Sequence, residues 1–298
     1  MFDNLKKSSK LAVIGLIFIT AIWGWSFLIV KQAVAQMPVM DFLALRFAVA
    51  AVVMFIIRPR AFSTIKKPEL KYGFVLGIFL GLSYITQTYA LVYASATVVG
   101  FITGLYIVIT PFLAWLWIKQ KITGNVWLAV TLSVIGLAFI SLNGLGLGTG
   151  EMLTILCAIT LALYTVGLGK WSPSHDSYSL TAVQMLTMAV ILLLITIPGG
   201  ITIPTDPQIW FVIIVTGVLA TSLAFFVQTW AQSILTPTHA VVILTLEPLF
   251  AGLFGVLVGN EPLTWRIILG ALFMLTAMYI VQLKSQRIDN KLEPRNQL

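Results

Sequence analysis

A single acidic residue in the middle of a long apolar run is the first feature of this sequence that could do chemistry. Glu247 lies within the run 238–259 and is followed by Pro248, which removes a backbone donor and frees a carbonyl group of the preceding turn. A charge at the centre of a membrane helix costs about 2.5–3.5 kcal/mol on insertion scales, so such a residue usually faces a cavity or a partner. Burial favours the protonated carboxyl group. Glu247 is therefore predicted to bind a ligand and carry a proton; the alternative is a neutral carboxyl group hydrogen-bonded to a neighbouring helix.

Arg46 is the basic residue that lies clearly inside an apolar run. Its guanidinium cannot lose its proton, so it needs an acidic partner, a carbonyl group or water. Glu247 and Asp41 are both candidate partners, the latter a little over one helical turn earlier. Arg46 is predicted to help hold an anionic group of a ligand, and snorkelling or a structural ion pair is the other interpretation.

Two glutamines and several aromatic residues complete the polar groups inside apolar runs. Gln87 and Gln228 can each donate and accept hydrogen bonds, which suits an uncharged or zwitterionic ligand, although bonding between helices would also explain them. Tyr106 lies mid-span, where anchoring at the membrane surface is a weak explanation. The predicted ligand-binding set is Trp25, Arg46, Tyr84, Gln87, Tyr106, Tyr164, Gln228 and Glu247.

Motifs for other kinds of chemistry are missing from the sequence. It contains no glycine-rich phosphate loop, no nucleophile elbow and no paired catalytic carboxylates. Neither histidine lies at metal-ligand spacing from the other or from Cys157, the single cysteine. The filter sequence of a potassium channel is absent as well. The chain is therefore not expected to be an enzyme or to hold a metal or cofactor.

The composition is that of a membrane protein. Of 298 residues 59% are hydrophobic and 9% are charged, whereas soluble domains are about 25% charged. The net charge of +8 raises the possibility of nucleic-acid binding. However, the basic residues lie in short loops and tails between apolar runs, where membrane proteins carry them. The expected partners are a small-molecule substrate and membrane lipid, not nucleic acid.

Apolar runs long enough to cross a membrane recur along the chain. A spanning helix needs about 20 apolar residues. The sequence predicts ten such spans, at 11–32, 39–57, 70–92, 96–118, 124–142, 150–170, 178–197, 208–233, 238–259 and 265–284. The run after the basic N-terminal residues lacks a small-residue cleavage site, which favours a retained first span over a signal peptide.

Basic residues alternate between the connections of these spans. The connections 33–38, 93–95, 143–149 and 198–207 carry no Lys or Arg. With ten spans, the basic loops and the tail fall on one side, which the positive-inside rule assigns to the cytoplasm. Both termini are therefore predicted to be cytoplasmic. The side chains on which this depends are Lys6, Lys7, Lys10, Arg58, Arg60, Lys66, Lys67, Lys71, Lys119, Lys121, Lys170, Lys284, Arg287, Lys291 and Arg295.

The sequence contains an internal duplication. Gln87-Thr88-Tyr89-Ala90 returns as Gln228-Thr229-Trp230-Ala231, 141 residues later, inside another apolar run. The predicted units are a cytoplasmic N-terminus at 1–10, five-helix repeats at 11–142 and 150–284, and a cytoplasmic tail at 285–298. Because each repeat has an odd number of spans, the second must enter the membrane from the opposite face. Such inverted repeats are typical of secondary transporters.

Glycines at four-residue spacing mark helices that pack closely. Gly73, Gly77 and Gly81 lie on one face of the third span, and Gly100 and Gly104 lie in the fourth. Small residues at this spacing let helix backbones approach in lipid. The pattern predicts helix packing rather than ligand binding.

Several motifs together resemble the EamA-like branch of the drug/metabolite transporter superfamily over essentially the full length. They are Trp23-Gly24-Trp25-Ser26-Phe27 with Lys31, Arg46, Thr103-Gly104-Leu105-Tyr106 with Pro111, Leu246-Glu247-Pro248, and Gly259-Asn260-Glu261-Pro262-Leu263-Thr264. One departure is Lys119-Gln120-Lys121, where such proteins often have a second Gly-Glu-Arg-like turn. The resemblance implies a ten-helix inverted-repeat carrier of small metabolites, often amino acids and frequently moved outward.

These features predict an inner-membrane secondary transporter that works by alternating access, with Glu247 as the coupling residue for protons. A passive channel or facilitator without ion coupling and a membrane enzyme are the alternatives. Saturable counterflow would favour a carrier over a channel. The substrate, the coupling ion, the direction of transport and the oligomeric state stay open.

Overall fold

The computed structural model describes residues 2–94, 96–141, 148–258, 264–266, 268–273, 275–277 and 279–280. All regular secondary structure in these residues is helical, which confirms the all-α class. The α-helices are α1 (Phe2–Val34), α2 (Val39–Ile57), α3 (Pro59–Thr64), α4 (Lys67–Tyr93), α5 (Ala96–Gly104), α6 (Tyr106–Ile118), α7 (Gly124–Ser141), α8 (Thr149–Trp171), α9 (Ser177–Thr196), α10 (Pro207–Val215), α11 (Ala224–Gln232), α12 (Pro237–Leu244) and α13 (Leu246–Leu257). A π-helical segment, Thr216–Leu223, joins α10 to α11.

Seven helical segments in the described part of the chain are long and apolar enough to cross a membrane. They are Ser9–Val34, Val39–Ile57, Lys67–Tyr93, Thr149–Ser174, Ser177–Gly199, Pro207–Gln232 and Pro237–Leu257. Three shorter apolar helices, Ile102–Ile118, Gly124–Gly136 and Ile268–Ala277, lie where the fourth, fifth and tenth spans are predicted. The chain is thus a multi-pass membrane protein, and the count of ten spans stays a prediction.

Polar residues fix where several helices begin. Asp176 precedes α9 and its Oδ2 accepts hydrogen bonds from the backbone N–H and the hydroxyl of Ser179, at 2.8 and 2.9 Å. Asp206 precedes α10 in the same way and accepts from the backbone N–H of Gln208 at 2.8 Å. Such caps satisfy backbone donors that the first turn of a helix leaves unpaired. These caps fix where the two helices begin, which the uniformly apolar sequence inside each helix does not indicate.

The most extensive helix packing runs between the two halves of the chain rather than within either half. Helix α4 packs on α8 and α9, and α1 packs on α11 and α13. The pattern is reciprocal, since α5 and α6 pack on α8 much as α12 and α13 pack on α1, and α2 packs on α9. The core therefore lies between the halves, and a site built there draws residues from both.

The glycines of α4 allow its close approach to α9. A methyl group on Gly73 would lie 2.6 Å from Cβ of Val183, and one on Gly77 would lie 2.9 Å from Cβ of Thr187. These distances are too short for an alanine, so the packing prediction for this face is confirmed. At Gly100, by contrast, an added methyl group would have no atom within 4 Å. Gly100 is buried, but the packing prediction is wrong for it within the described residues, because none of them approaches closely enough to require a glycine.

Contacts between connections show which of them share an end of the molecule. At one end Arg58 forms an ion pair with Asp176, with 3.6 Å between Nη1 and Oδ2, and Glu69 Oε1 accepts from the backbone N–H of Asp176 at 3.4 Å. At the other end Lys31 Nζ donates to the carbonyl of Ala94 at 2.9 Å. The connections rich in basic residues thus meet at one end, while those predicted to lie opposite meet at the other. Loop 143–147, the run Gly259–Leu263 and the basic tail lie outside the described residues.

Candidate functional site

A cavity of about 50 Å³ lies between the two halves. A water molecule needs at least about 10–15 Å³ of such space, so the cavity has room for a few waters. Polar side chains from both halves reach it beside a larger apolar and aromatic lining. The lining residues are Trp23, Ser26, Phe27, Val30, Arg46, Ser83, Tyr84, Gln87, Thr88, Leu91, Tyr106, Cys157, Leu161, Phe225, Gln228, Leu244 and Glu247.

Arg46 enters the cavity from α2 and is only 3% exposed. Its Nε donates to Thr221 Oγ1 at 2.8 Å, and its Cζ lies 4.9 Å from the ring centroid of Tyr84. Neither of its predicted partners pairs with it in the described structure. Asp41 accepts instead from the backbone N–H of Thr202 at 2.9 Å, and no hydrogen bond or ion pair joins Arg46 to Glu247. A hydroxyl group and an aromatic face orient the guanidinium but leave its charge uncompensated. An anionic group entering the cavity would meet a preformed donor.

Thr221 belongs to the π-helical segment, whose backbone is wider than an α-helix. Its hydroxyl donates to the carbonyl of Thr216, five residues earlier, at 2.9 Å. The Nε1 of Trp23, on α1, donates to the carbonyl of Ala220 in the same segment at 2.8 Å. Short π segments inside helices are often found at functional sites. Here the segment supplies one acceptor to Arg46 and another to Trp23, so it joins α1 and α2 to the second half.

Glu247 stands just past a one-residue irregularity in the helix of the ninth span. Thr245 separates α12 from α13, and Glu247 is the second residue of α13. Glu247 is half-buried on the cavity wall and has no hydrogen bond or ion pair with any described residue. Proline has no N–H, so Pro248 cannot donate the helical hydrogen bond to the carbonyl group of Leu244. Leu244 is itself one of the residues that line the cavity. The carboxyl group is thus available to a ligand, to water or to a proton.

Tyr106 occupies the corresponding position of the first half. Leu105 separates α5 from α6, and Tyr106 is the first residue of α6. Both halves therefore contain a one-residue irregularity within a helix whose backbone stays right-handed, and a cavity-lining side chain follows each irregularity. The equivalent positions of the two halves thus bring a tyrosine and a glutamate to the same cavity.

The two glutamines at equivalent sequence positions line the same cavity but have different partners. Gln87 Nε2 donates to Thr103 Oγ1 at 3.2 Å. Gln228 Nε2 donates to Gln232 Oε1 at 3.2 Å, and Gln228 Oε1 is buried without a donor among the described residues. The wall of the cavity therefore holds a buried acceptor without a donor, in addition to the cation of Arg46.

Comparison with known proteins agrees with this architecture. The profile of the EamA-like transporter family matches residues 10–142 and, a second time, residues 148–283. The chain belongs to the EamA-like transporter family. The resemblance to drug/metabolite transporters is thereby confirmed.

Relatives of this EamA-like transporter are named as transporters without a stated substrate. An uncharacterized transporter of Archaeoglobus fulgidus is 30% identical over 273 residues, which cover 92% of this chain and 86% of that protein. The uncharacterized transporter YoaV of Bacillus subtilis is 24% identical over 283 residues, covering 90% and 95%. A solved crystal structure at 16% identity covers 95% of this chain and 99% of its own, with a TM-score of 0.77. That likeness shows a shared fold.

Two of the predicted site residues lie away from the cavity of the EamA-like transporter. Trp25 is half-buried and does not line the cavity, whereas Trp23, two residues earlier, does. Two residues turn a helix by about 200°, so only one of the pair can face inward. Tyr164 is fully buried behind the wall, where its hydroxyl donates to Gln184 Oε1 at 2.9 Å and its ring packs on Phe225. The remaining six all line the cavity: Arg46, Tyr84, Gln87, Tyr106, Gln228 and Glu247.

Sequence reasoning missed several residues that the fold brings to this site. Trp23 has a signal in the Trp-Gly-Trp run, but the sequence does not tell which tryptophan faces inward. Thr221, Phe225, Gln228 and Gln232 run at helical spacing and are visible in the sequence as a polar and aromatic stripe of the eighth span, but the predicted set leaves out Thr221 and Phe225. Only the structure shows that Thr221 bonds Arg46. Cys157 is free and buried at the cavity. Within the described residues no group of three His, Cys, Asp or Glu could hold a metal ion.

Proposed function

We propose that this protein is an inner-membrane secondary carrier that moves small metabolites, amino-acid-like or related compounds, by alternating access, with export as its direction. The observation that carries the proposal is the cavity between the halves, which holds an unpaired Arg46 and an unpaired Glu247. Enclosed groups of this kind are rare inside membranes and mark pathways for substrates and ions. Export is taken from the likeness to the family.

The packing between halves supports alternating access. If the repeats 11–142 and 150–284 are inverted, each presents the same helices to the other, which is the reciprocal pattern of the helix contacts. One repeat can then rock or gate against the other around a fixed central site. On α1 and α4 the lining residues lie in the second half of each helix. Phe225 and Gln228 lie in the second half of the segment Pro207–Gln232, which runs the opposite way with ten spans. The cavity therefore draws its lining from both sides of the membrane midplane.

The charges of the cavity support a substrate with both an anionic and a donor group. Arg46 offers donors to a carboxylate or a similar anion, while Glu247 and Gln228 offer acceptors. Tyr84, Tyr106 and Phe225 line the cavity and offer aromatic surface to the remaining part of the substrate. A cavity of about 50 Å³ must widen to admit such a compound, so substrate entry requires movement of the lining helices.

Proton coupling is proposed for Glu247. A carboxyl group without a basic partner can take a proton on one side of the membrane and release it on the other as the cavity changes its exposure. No motif for nucleotide binding was found in the sequence. Transport against a gradient therefore needs the substrate gradient or a coupled ion.

Counterflow in reconstituted vesicles tests the proposal. Ligands are first selected by a thermal-shift screen of the common L-amino acids, because a ligand that binds the folded protein raises its melting temperature. Liposomes containing the protein are then loaded with an unlabelled hit, and uptake of the labelled compound is followed. A carrier gives saturable transient accumulation. Unsaturated flux without counterflow would support the alternative, a passive channel or facilitator, and no flux above protein-free liposomes would reject both.

A further inference from the structure

A chain of polar groups runs behind the cavity wall from Gln228 to α8. Gln228 lines the cavity, whereas Gln232, one turn later on α11, does not. Both amides are buried, each at 1% exposure. Gln228 Nε2 donates to Gln232 Oε1 at 3.2 Å, and Gln232 Nε2 donates to the backbone carbonyl of Thr165 at 2.9 Å.

The direction of this chain follows from the chemistry of its last member. A backbone carbonyl only accepts hydrogen bonds, so the atom of Gln232 that faces Thr165 must be the amide nitrogen. The Gln232 oxygen then faces Gln228, which has to donate through its own nitrogen. The oxygen of Gln228 is left over, buried and without a donor among the described residues.

The first half has no such arrangement at the equivalent place. Gln87 bonds the hydroxyl of Thr103, and a hydroxyl group can donate or accept, so it does not fix the amide. The residue one turn after Gln87 is Leu91, at the repeat position of Gln232. The orientation of Gln87 is thus free to follow a ligand, whereas that of Gln228 is set by the protein.

We propose that Gln232 is a positioning residue that keeps the Gln228 carbonyl oxygen in the cavity wall without a protein donor, so that the ligand group bound there when the cavity widens is a hydrogen-bond donor such as an ammonium or hydroxyl group. A buried acceptor gains a partner from a donor and meets repulsion from a second acceptor, which makes the position selective. Arg46 binds the anionic group of the ligand and Gln228 binds its hydrogen-bond donor, so the ligand is held in one orientation in the cavity. The inference rests on the proposed transport function, because it assumes that the cavity binds the substrate.

Two substitutions of Gln232 separate positioning from packing. Gln232→Met keeps the length of the side chain but offers Gln228 no acceptor, so the Gln228 amide can turn over. Gln232→Glu still accepts from Gln228, and in its neutral form it also donates to the Thr165 carbonyl. The glutamate variant should therefore behave like the unchanged protein, while the methionine variant should lose selectivity. A role in packing alone predicts that both variants behave alike.

Selectivity is read from ligand analogues in detergent-purified protein. The probes are the L-amino acid that gives the largest thermal shift and its N,N,N-trimethyl derivative, which keeps the positive charge but has no N–H donor. The unchanged protein and Gln232→Glu should prefer the parent compound roughly ten-fold or more. Gln232→Met should reduce that ratio to near one. An equal affinity of the unchanged protein for both compounds, or an unchanged ratio in Gln232→Met, would overturn the inference.

A second measurement needs no ligand. In protein labelled with [15N]glutamine and held in nanodiscs, the Gln228 side-chain amide is identified by its loss in Gln228→Leu. Its protons should exchange slowly with water in the unchanged protein and in Gln232→Glu, and faster in Gln232→Met. Equal exchange in all three would show that Gln232 does not hold the amide. If no amino acid binds while this exchange pattern holds, the proposed substrate class fails and the positioning role stands.

Discussion

At the scale of single residues, Arg46 and Glu247 line one cavity without pairing with each other. Arg46 has a hydroxyl group and an aromatic face as neighbours, and Glu247 has no bonded partner among the described residues. An ion pair between the two would close the site to ligands and protons. Leaving both groups without an ionic partner inside the membrane lowers the stability of the fold. Such a cost is expected at a site where the substrate supplies the missing partners.

Replacing Glu247 tests proton coupling. Glu247→Gln keeps the shape of the protonated acid but cannot release a proton. Uptake driven by a pH gradient should collapse in proteoliposomes, while exchange of labelled for unlabelled substrate continues at a rate near that of the unchanged protein. Full pH-dependent accumulation by the variant would contradict the coupling role, and loss of exchange as well would indicate a structural defect.

Replacing Arg46 tests the anion site. Arg46→Lys keeps the charge but loses the planar group that bonds Thr221 and stacks on Tyr84. A hydrogen bond to a charged group contributes about 1.5–3 kcal/mol, so KM should rise roughly ten-fold to a hundred-fold in counterflow assays. Arg58→Lys is the matched control: its ion pair with Asp176 is exposed, and such pairs contribute about 0–1 kcal/mol. A KM equal to that of the control would remove Arg46 from the site.

At the scale of helices, the cavity depends on departures from regular α-helix. The π-helical segment turns a hydroxyl group to Arg46 and a carbonyl group to Trp23. One-residue irregularities at Leu105 and Thr245 precede Tyr106 and Glu247, which both line the cavity. Elsewhere the helices are regular and close-packed, so they hold these irregular turns in place.

The π-helical segment acts on transport through Thr221. Thr221→Val removes the acceptor of Arg46 with little change in volume, whereas Thr221→Ser keeps it. We expect the valine variant to raise KM by up to roughly ten-fold, less than loss of the guanidinium itself because Thr221 orients Arg46 and does not line the cavity, and the serine variant to stay near the unchanged protein. Thr216→Val, which removes a hydroxyl bonded only within the helix, controls for disturbance of the segment. Equal effects of all three would mean that the hydroxyl does not orient Arg46.

Helix packing is tested by a pair of glycine substitutions. Gly77→Ala forces a methyl group to 2.9 Å from Thr187 and should destabilise the protein by about 1–3 kcal/mol. Gly100→Ala meets no atom within 4 Å and should be neutral or stabilising by up to about 1 kcal/mol, because alanine favours the helix. Thermal unfolding in detergent measures both. Equal melting temperatures would contradict the close approach of α4 and α9.

At the scale of the whole molecule, the proposed orientation follows from the side on which the basic connections meet. Cysteines are introduced singly at Gly146 and at Lys67, in a chain whose native Cys157 is buried. An impermeant maleimide added to intact cells should label the first position and leave the second unlabelled until the cells are opened. The reverse result at either position would reject ten spans with both termini inside.

The sequence by itself determines the class of this protein and much of its chemistry. Apolar runs of about 20 residues require membrane helices, and the cost of burying polar groups singles out Arg46, Gln87, Gln228 and Glu247. These signals are local, since each can be read from one stretch of chain. The prediction places six residues at the cavity because a polar or ionisable side chain inside a membrane is costly in free energy and usually has a functional role.

Only the tertiary structure decides which groups meet. The sequence predicts Trp25 for the site, but the packing of α1 against the second half of the chain places Trp23 on the cavity instead. The pairing of Arg46 with Thr221 joins residues 175 positions apart, and neither predicted carboxylate partner reaches it. The amide chain from Gln228 to Thr165 likewise crosses from α11 to α8. Such contacts depend on the rotation of each helix about its own axis. That rotation is set by the packing of the helix against partners from distant parts of the chain, which no single stretch of sequence contains.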